Sequence, residues 1–302
     1  MGVSVLMSVY AGADPVHLRE ALASIYGQTL LPDEVVLMED GPLTEEQREV
    51  IDSFADGNAL VVPVVAEEEA SAVVRRRDEA ARSSGPRAEQ KSPLLVIGRF
   101  ADNVQLGRAL AIGVALCAND LIARMDADDV ALPDRLAKEV AYLGAHPEVS
   151  VLGGAIEEFD GDVVKSTKTI PGGAELLSYA KFRCPVNHMT VMMRRDDILA
   201  AGNYRHFPGL EDYELWSRVL TQGYRFDNLP DVLVRARCDS SFYNRRGGED
   251  YGRRYLGLRR MQLESGLLSR GEYVRACAAT AMMVYAPPSL RKVFYGILRR
   301  KG

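Results

Sequence analysis

Three carboxylates crowd four positions in Met125-Asp-Ala-Asp-Asp-Val130, directly after the apolar run Leu121 to Met125. At a strand end alternate side chains share a face, so Asp126 and Asp128 can point the same way. Like charges this close repel unless a cation offsets them. Carboxylate oxygens are hard ligands suited to magnesium or manganese, and those ions share their coordination with substrate phosphates. The competing use is local: Asp129 precedes a helix opened by Pro133 and could simply cap it. A second acidic strand end is Met38-Glu-Asp-Gly41. There Asp40 could accept a hydrogen bond from a ribose hydroxyl or a base, although Asp-Gly alone is a common turn. A third acidic site is Pro208-Gly-Leu-Glu-Asp-Tyr-Glu-Leu-Trp216, where Glu211 and Asp212 open a helix. A helix dipole favours acidic groups at that end. A carboxylate so placed can equally act as a general base. The face of Trp216, the one tryptophan of the chain, suits the C–H face of a sugar ring.

The elements that must position these residues alternate. Val3 to Tyr10 reads as a buried strand, and Pro15 to Gln28 as a helix with Leu18, Leu22 and Ile25 on one face. Glu34 to Glu39 is a second strand. Thr44 begins Thr-Glu-Glu-Gln, a capping box that opens a second helix. Leu106, Leu110, Val114 and Cys117 share a helical face ahead of the strand Leu121 to Met125. A helix from Pro133 carries Leu136, Val140 and Leu143, and Val149 to Leu152 is again a strand. Strands separated by helices of this length imply βαβ units and a mostly parallel sheet. Such sheets bind ligands at the carboxyl ends of their strands. Asp40 and the cluster Asp126 to Asp129 fall at two of those ends.

The second half is less regular. Asp160-Gly161 between apolar pairs suggests a hairpin. Asn187 to Met193 reads as a strand, Asp196 to Ala201 as a short helix and Glu211 to Gln222 as another. Beyond Asp239 the pattern is helical. Residues 66–92 stand apart, with six acidic and six basic side chains among 27. They are expected to form a solvated insertion outside the core. Leu60 to Val65 and Leu94 to Gly98 flank them and compete for the role of core strand.

Composition excludes several classes. At 302 residues, 47% hydrophobic and 26% charged, the chain can bury a real core and is neither disordered nor fibrous. A net charge of −5 argues against sequence-independent nucleic-acid binding, so no nucleic-acid partner is expected. No apolar stretch reaches the roughly 20 residues of a membrane span. Cys117, Cys184, Cys238 and Cys277 form no zinc-like pair, and free thiols suit a reducing compartment. With no signal-peptide pattern at its start, the chain is expected in the cytoplasm.

The order and spacing of several motifs resemble those of family 2 glycosyltransferases with the GT-A fold. They are Ser4-Val-Leu-Met-Ser-Val-Tyr10, Leu22-Ala-Ser-Ile-Tyr-Gly-Gln-Thr29 and Pro32-Asp-Glu-Val-Val-Leu-Met-Glu-Asp-Gly41. Leu121-Ile-Ala-Arg-Met-Asp-Ala-Asp-Asp129, Pro133-Asp-Arg-Leu136, Asn187-His-Met-Thr190 and Gly209-Leu-Glu-Asp-Tyr-Glu-Leu-Trp216 complete the set. The resemblance is greatest to bacterial exopolysaccharide, capsule and lipopolysaccharide transferases. It implies an α/β, Rossmann-like catalytic domain over residues 1–238, with a mostly parallel sheet flanked by helices. A helical C-terminal extension over 239–302 follows. It implies that Ser8, Tyr10, Asp40 and Asp126 hold the nucleotide-sugar donor, a UDP-sugar, and that Asp128 binds Mn2+ or Mg2+. Asp212 is implied as the catalytic base of an inverting transfer to a glycan or lipid-linked acceptor. Glu211, Trp216 and His188 are implied as acceptor or supporting residues. One departure concerns the donor loop, where Asn103-Val-Gln-Leu-Gly107 carries Gln105 in place of a glycine. Two rivals stay open. A nucleotidyltransferase would need a Gly-rich loop richer than Val9-Tyr-Ala-Gly-Ala13, and an inactive GT-A module would bind a nucleotide sugar without turnover. The tail, Ser289 to Lys301, mixes apolar and basic residues. It suits either peripheral contact with the inner membrane face or packing on the protein.

Overall fold

The N-terminal apolar run forms β1 (Val3–Val9), buried almost throughout. The computed structural model describes residues 1–55, 57–65, 69–83, 92–238 and 248–285. α1 (Pro15–Tyr26) starts at Pro15 behind Asp14, whose carboxylate accepts the Val16 amide at 2.8 Å. β2 (Glu34–Glu39) is buried at every position. α2 (Glu45–Ala55) opens with the predicted capping box. The Gln47 amide donates to Thr44 Oγ1 at 3.2 Å and the Thr44 amide to Gln47 Oε1 at 3.0 Å. Next come β3 (Ala59–Val64), α3 (Ala70–Ser83), β4 (Leu94–Phe100) and α4 (Leu106–Leu116). They lead to β5 (Leu121–Asp126), the two-residue β6 (Val130–Ala131) and α5 (Arg135–Ala145). β7 (Val149–Asp160) and β8 (Val163–Lys168) form the expected hairpin, turning at Gly161 with φ 58°. α6 (Gly173–Ala180), a 3-10 turn at His188–Thr190, β9 (Met192–Arg194) and α7 (Arg195–Ala200) follow. α8 (Glu211–Thr221), β10 (Arg225–Arg237), α9 (Glu249–Glu264) and α10 (Arg270–Tyr285) complete the described chain.

The strands make one sheet in the order β3-β4-β2-β1-β5-β9-β7-β10-β6, with β8 paired to β7. The first five run parallel. β9 lies antiparallel between β5 and β7, and β10 runs parallel to β7. One apolar layer packs α1, α2 and α5 on one face through Leu18, Ile51 and Leu136. The other packs α4 and α8 on the opposite face through Leu110, Leu215 and Trp216.

Three expectations change, and one strand carried no expectation. Both competing segments are strands: β4 is the inner one and β3 the edge, with alternating burial because only one of its faces is covered. The charged segment is not wholly outside the core. Val73 on α3 is fully buried among core residues, and Arg77 pairs at 2.5 Å with the buried Glu34 of β2. Asn187 to Met193 is a 3-10 turn leading into the short β9 rather than a strand. β10, with charges and Pro230, gives no strand pattern. It forms because its register shifts between Leu229 and Val232, where a proline is tolerated. Within the C-terminal extension, α9 and α10 dock on the catalytic part. Buried Arg259 donates to the carbonyls of Lys181 and Phe182 and to the Tyr213 hydroxyl at 2.9–3.0 Å. The basic tail Ser289 to Lys301 lies outside the described residues. Among those described, no helix is long and apolar enough to cross a membrane.

Candidate active site

The carboxyl ends of β1, β2 and β5 converge. Ser8 sits in register opposite Met38 of β2 on one side and Asp126 of β5 on the other. It is half-buried, and Tyr10, one step beyond β1, is 50% exposed. The loop after β1 is held from below, where the Gln47 amide group donates to the carbonyls of Tyr10 and Ala13 at 3.1 and 2.6 Å. Asp40 is buried, and its carboxylate accepts the Val104 amide at 2.6 Å. Burial raises its pKa, and the backbone amides of Val104 and Gln105 oppose that rise. Asp40 therefore ties β2 to the loop ahead of α4. Gly41 makes this approach feasible: a side chain there would meet the Asn103 nitrogen at 2.8 Å, and its φ is 88°. In the same loop Gln105 holds φ 70° and ψ 155°, a conformation suited to glycine.

Asp126, Asp128 and Asp129 bring their carboxylate oxygens within 4.8 Å of one another. Each has a different surrounding. Asp126 is half-buried and pairs with Arg124 at 2.5 Å. Asp129 is buried and accepts the Arg237 amide at 2.8 Å. Lost hydration, then the charges of Asp126 and Asp128, push its carboxyl well above the usual carboxylate range. Asp128 reaches solvent at the rim, yet the shelter of the loop, and then Asp126, still raise its pKa. Arg237 also donates to the Asp128 carbonyl at 2.9 Å, pinning this loop to β10. From the other face Arg135 donates to the Arg124 carbonyl at 2.8 Å and pairs with Glu139. The Pro133-Asp-Arg-Leu136 motif thus serves to fix β5.

Across the crevice, α8 begins at Glu211. Leu210 precedes the helix and makes no side-chain cap, so Glu211 and Asp212 lie inside its first turn. Burial and the neighbouring Asp212 charge raise the Glu211 pKa to about 7. Asp212 is half-buried; it accepts the Tyr213 amide at 2.7 Å and the Cys184 thiol at 3.5 Å. α4 meets α8 closely at Gly107, where a side chain would meet the Arg205 carbonyl at 2.7 Å. Gln105, His206, Pro208 and Glu211 line the small cleft left between them.

Of the two roles open to Trp216 and His188, direct contact with an acceptor or support from behind, their burial suits the second. Trp216 is fully buried in the core layer, edge-on to Phe226, Tyr204 and His188. On α8 it lies four residues beyond Asp212, and there the helix faces the sheet. His188 bonds the Tyr204 hydroxyl at 2.8 Å. Burial and then the charge of Arg124 hold its pKa well below the usual histidine range, so it is a neutral support. Tyr204 had no signal in the sequence. Burial raises its pKa, the charge of Arg124 opposes that rise, and its ring packs edge-on to Trp216. Arg124 was visible inside its motif, two residues before Asp126 on the same strand face.

Residues 86–202 match the family described as Glycosyl transferase family 2. The chain is 34% identical to the amylovoran biosynthesis glycosyltransferase AmsE of Erwinia amylovora, over 86% of this chain and 85% of that protein. The chain belongs to glycosyltransferase family 2. A second relative is the UDP-Gal:alpha-D-GlcNAc-diphosphoundecaprenol beta-1,3-galactosyltransferase of Escherichia coli. It is 30% identical, over 98% of this chain and 96% of its own. Among solved structures, S. aureus TarS 1-349 in complex with UDP-GlcNAc is similar with a TM-score of 0.63. That match covers 96% of this chain and 77% of the TarS 1-349 chain at 14% identity, which establishes a shared fold. The expected GT-A fold is the one observed, and the protein is a family 2 glycosyltransferase.

Proposed function

We propose that this glycosyltransferase moves a sugar from a UDP-sugar to a glycan or lipid-linked acceptor, with inversion, in bacterial cell-surface polysaccharide synthesis. One observation carries the reading. Three carboxylates lie within 4.8 Å of one another at the carboxyl end of β5, beside Ser8 of β1, and a second acidic pair, Glu211–Asp212, opens the helix packed on the same sheet. Inversion by single displacement needs a base on one side of the anomeric carbon and charge neutralisation on the other. Asp212, half-buried and ionisable, takes the proton from the attacking acceptor hydroxyl. Ser8 and Asp126, side by side at the strand ends, and Tyr10 at the rim hold the nucleoside. Asp40 acts by anchoring the loop that closes over it.

Three oxygen ligands within 4.8 Å fit a hard divalent cation, and Asp128 is the one left facing solvent. Asp128, with Asp126 or Asp129, would hold Mn2+ or Mg2+, which supplies neutralisation of the charge on the departing nucleoside diphosphate. The names of the Erwinia and Escherichia relatives support the polysaccharide and lipid-linked acceptor assignments, and UDP-GlcNAc-bound TarS supports the donor class.

The test is a screen of nucleotide sugars in Mn2+ for thermal protection and for release of nucleoside diphosphate. A UDP-sugar should raise the unfolding midpoint by mass action and turn over once an acceptor is added. Protection without turnover against any glycan or lipid-linked acceptor would favour a binding module. Full transfer in excess chelator would remove the metal from the scheme.

A further inference from the structure

Arg124 is 2% exposed and lies on the floor of the crevice. Among the described residues only one of its guanidinium nitrogens has a partner: Nη2 pairs with Asp126 at 2.5 Å. Nε and Nη1 are buried with no partner. Burying a cation is costly, and burying it with idle donors costs more, so packing alone does not favour an arginine here. An apolar side chain of similar length would fill the same volume without that cost. The surroundings point to a use. On this strand face Ile122 belongs to the core layer that also holds Tyr204 and Trp216, and Asp126 stands at the mouth. The charge of Arg124 acts on Asp126, Asp128 and Asp129 on one side, and on Glu211 across the crevice. By geometry it is a fixed positive charge in contact with Asp126, whose carboxylate clusters with those of Asp128 and Asp129. The neighbouring His188 and Tyr204 bond each other and leave Arg124 to the acids.

We propose that Arg124 is a positioning residue, holding Asp126 at the mouth of β5 and offsetting the charge of the clustered carboxylates so that the metal–nucleotide site is preformed. This rests on the donor-site reading above. Arg124 touches no reacting atom in it. It acts through Asp126, which must keep one orientation to meet the nucleotide, and through the field it places under the cluster. Because Asp126 is 30% exposed, it regains water when its partner is lost, so the fold itself should survive.

The experiment is a double-mutant cycle with Arg124→Met and Asp126→Asn, with Arg124→Lys as the charge-preserving variant. Wild-type protein is first titrated with UDP and with GDP in Mn2+, and the tighter binder becomes the probe. Calorimetry then gives the affinity of each variant, and donor kinetics give kcat and KM separately. Arg124→Met should unfold at a midpoint close to wild type yet bind the Mn2+–nucleotide at least tenfold more weakly, with a raised donor KM. Arg124→Lys should recover part of that loss. The double variant should be no worse than Asp126→Asn, because the arginine works through that carboxylate. Equal affinity in wild type and Arg124→Met, or losses that multiply in the double variant, would overturn the inference. If Arg124→Met does not fold, the Lys variant decides: loss of affinity as complete as in Asp126→Asn refutes a role for the charge. Wild-type protein that binds neither nucleotide marks a different failure, that of the donor-site reading itself.

Discussion

Asp212 and Glu211 are neighbours in sequence but meet different amounts of water. The helix turns Glu211 inward, where burial holds its pKa near 7, and leaves Asp212 half-buried at the crevice. Asp212→Asn is nearly isosteric and cannot take up a proton. It should spare donor binding and cut transfer by at least about 10²-fold; the check is kcat beside nucleotide affinity. Retention of most of the transfer would move the base elsewhere, with Glu211 the next candidate. Glu211 makes a separate prediction about stability. Its folded pKa lies above the ordinary value of 4.5, so the folded state binds the extra proton. That stabilisation is complete below about pH 4.5 and is lost as the pH rises through about 7. Glu211→Gln cannot lose it. The stability of the variant relative to wild type should therefore rise between pH 5 and pH 8, by on the order of 3 kcal/mol. Urea unfolding of both proteins at the two pH values measures this, and a pH-independent difference would show that Glu211 titrates normally.

At the scale of elements, two segments show what the sheet asks of its connections. The loop before α4 has Gln105 at φ 70° in a conformation that L side chains rarely adopt. Gln105→Gly should relieve this strain and, after the entropy cost of glycine, stabilise by about 1 kcal/mol. A shift of the urea midpoint at constant m-value is the observable. α3 is the second case. Its charges point mostly outward, but Val73 is fully buried and Arg77 neutralises Glu34 inside the fold. Val73→Asp should cost about 3 kcal/mol or more, because it buries an unpaired charge. Arg75→Glu, at an exposed position of the same helix, should stay within about 0.5 kcal/mol. Equal, small effects at the two positions would return the segment to the solvent.

For the molecule as a whole, the C-terminal helices and α8 share a buried polar junction. Arg259 reaches the Lys181 and Phe182 carbonyls, Tyr213 on α8, Gln262 and Thr280. Tyr213 directly follows Asp212, so the extension braces the helix that carries the acid pair. Arg259→Met leaves several buried acceptors without donors and should destabilise by roughly 3 kcal/mol. Unfolding of the wild type should remain a single transition seen alike by tryptophan fluorescence and by circular dichroism. An earlier, separate melting of the helices would make the extension an independent domain.

The sequence by itself determined β1, β2 and β5 of the parallel half of the sheet, with their intervening helices α1 and α2. Apolar runs ending in acids, and helices with caps such as Thr44–Gln47, are local patterns, and local sterics and burial suffice to read them. It also placed Asp126, Asp128, Glu211 and Asp212 at element ends, where side chains can meet a ligand. What it could not read depended on partners distant in the chain. β10 pairs with β7 despite Pro230, because a register shift absorbs the missing donor. Trp216 lies in the core because α8 turns that face to the sheet, although its motif suggested a sugar-facing ring. Asp40 bonds a loop more than sixty residues away, and Glu211 takes up its raised pKa only when the fold buries the start of α8. Spacing along the chain fixes which face a residue occupies. Whether that face meets water, core or another charge is set by tertiary packing, since solvation and Coulomb energy depend on distances in space.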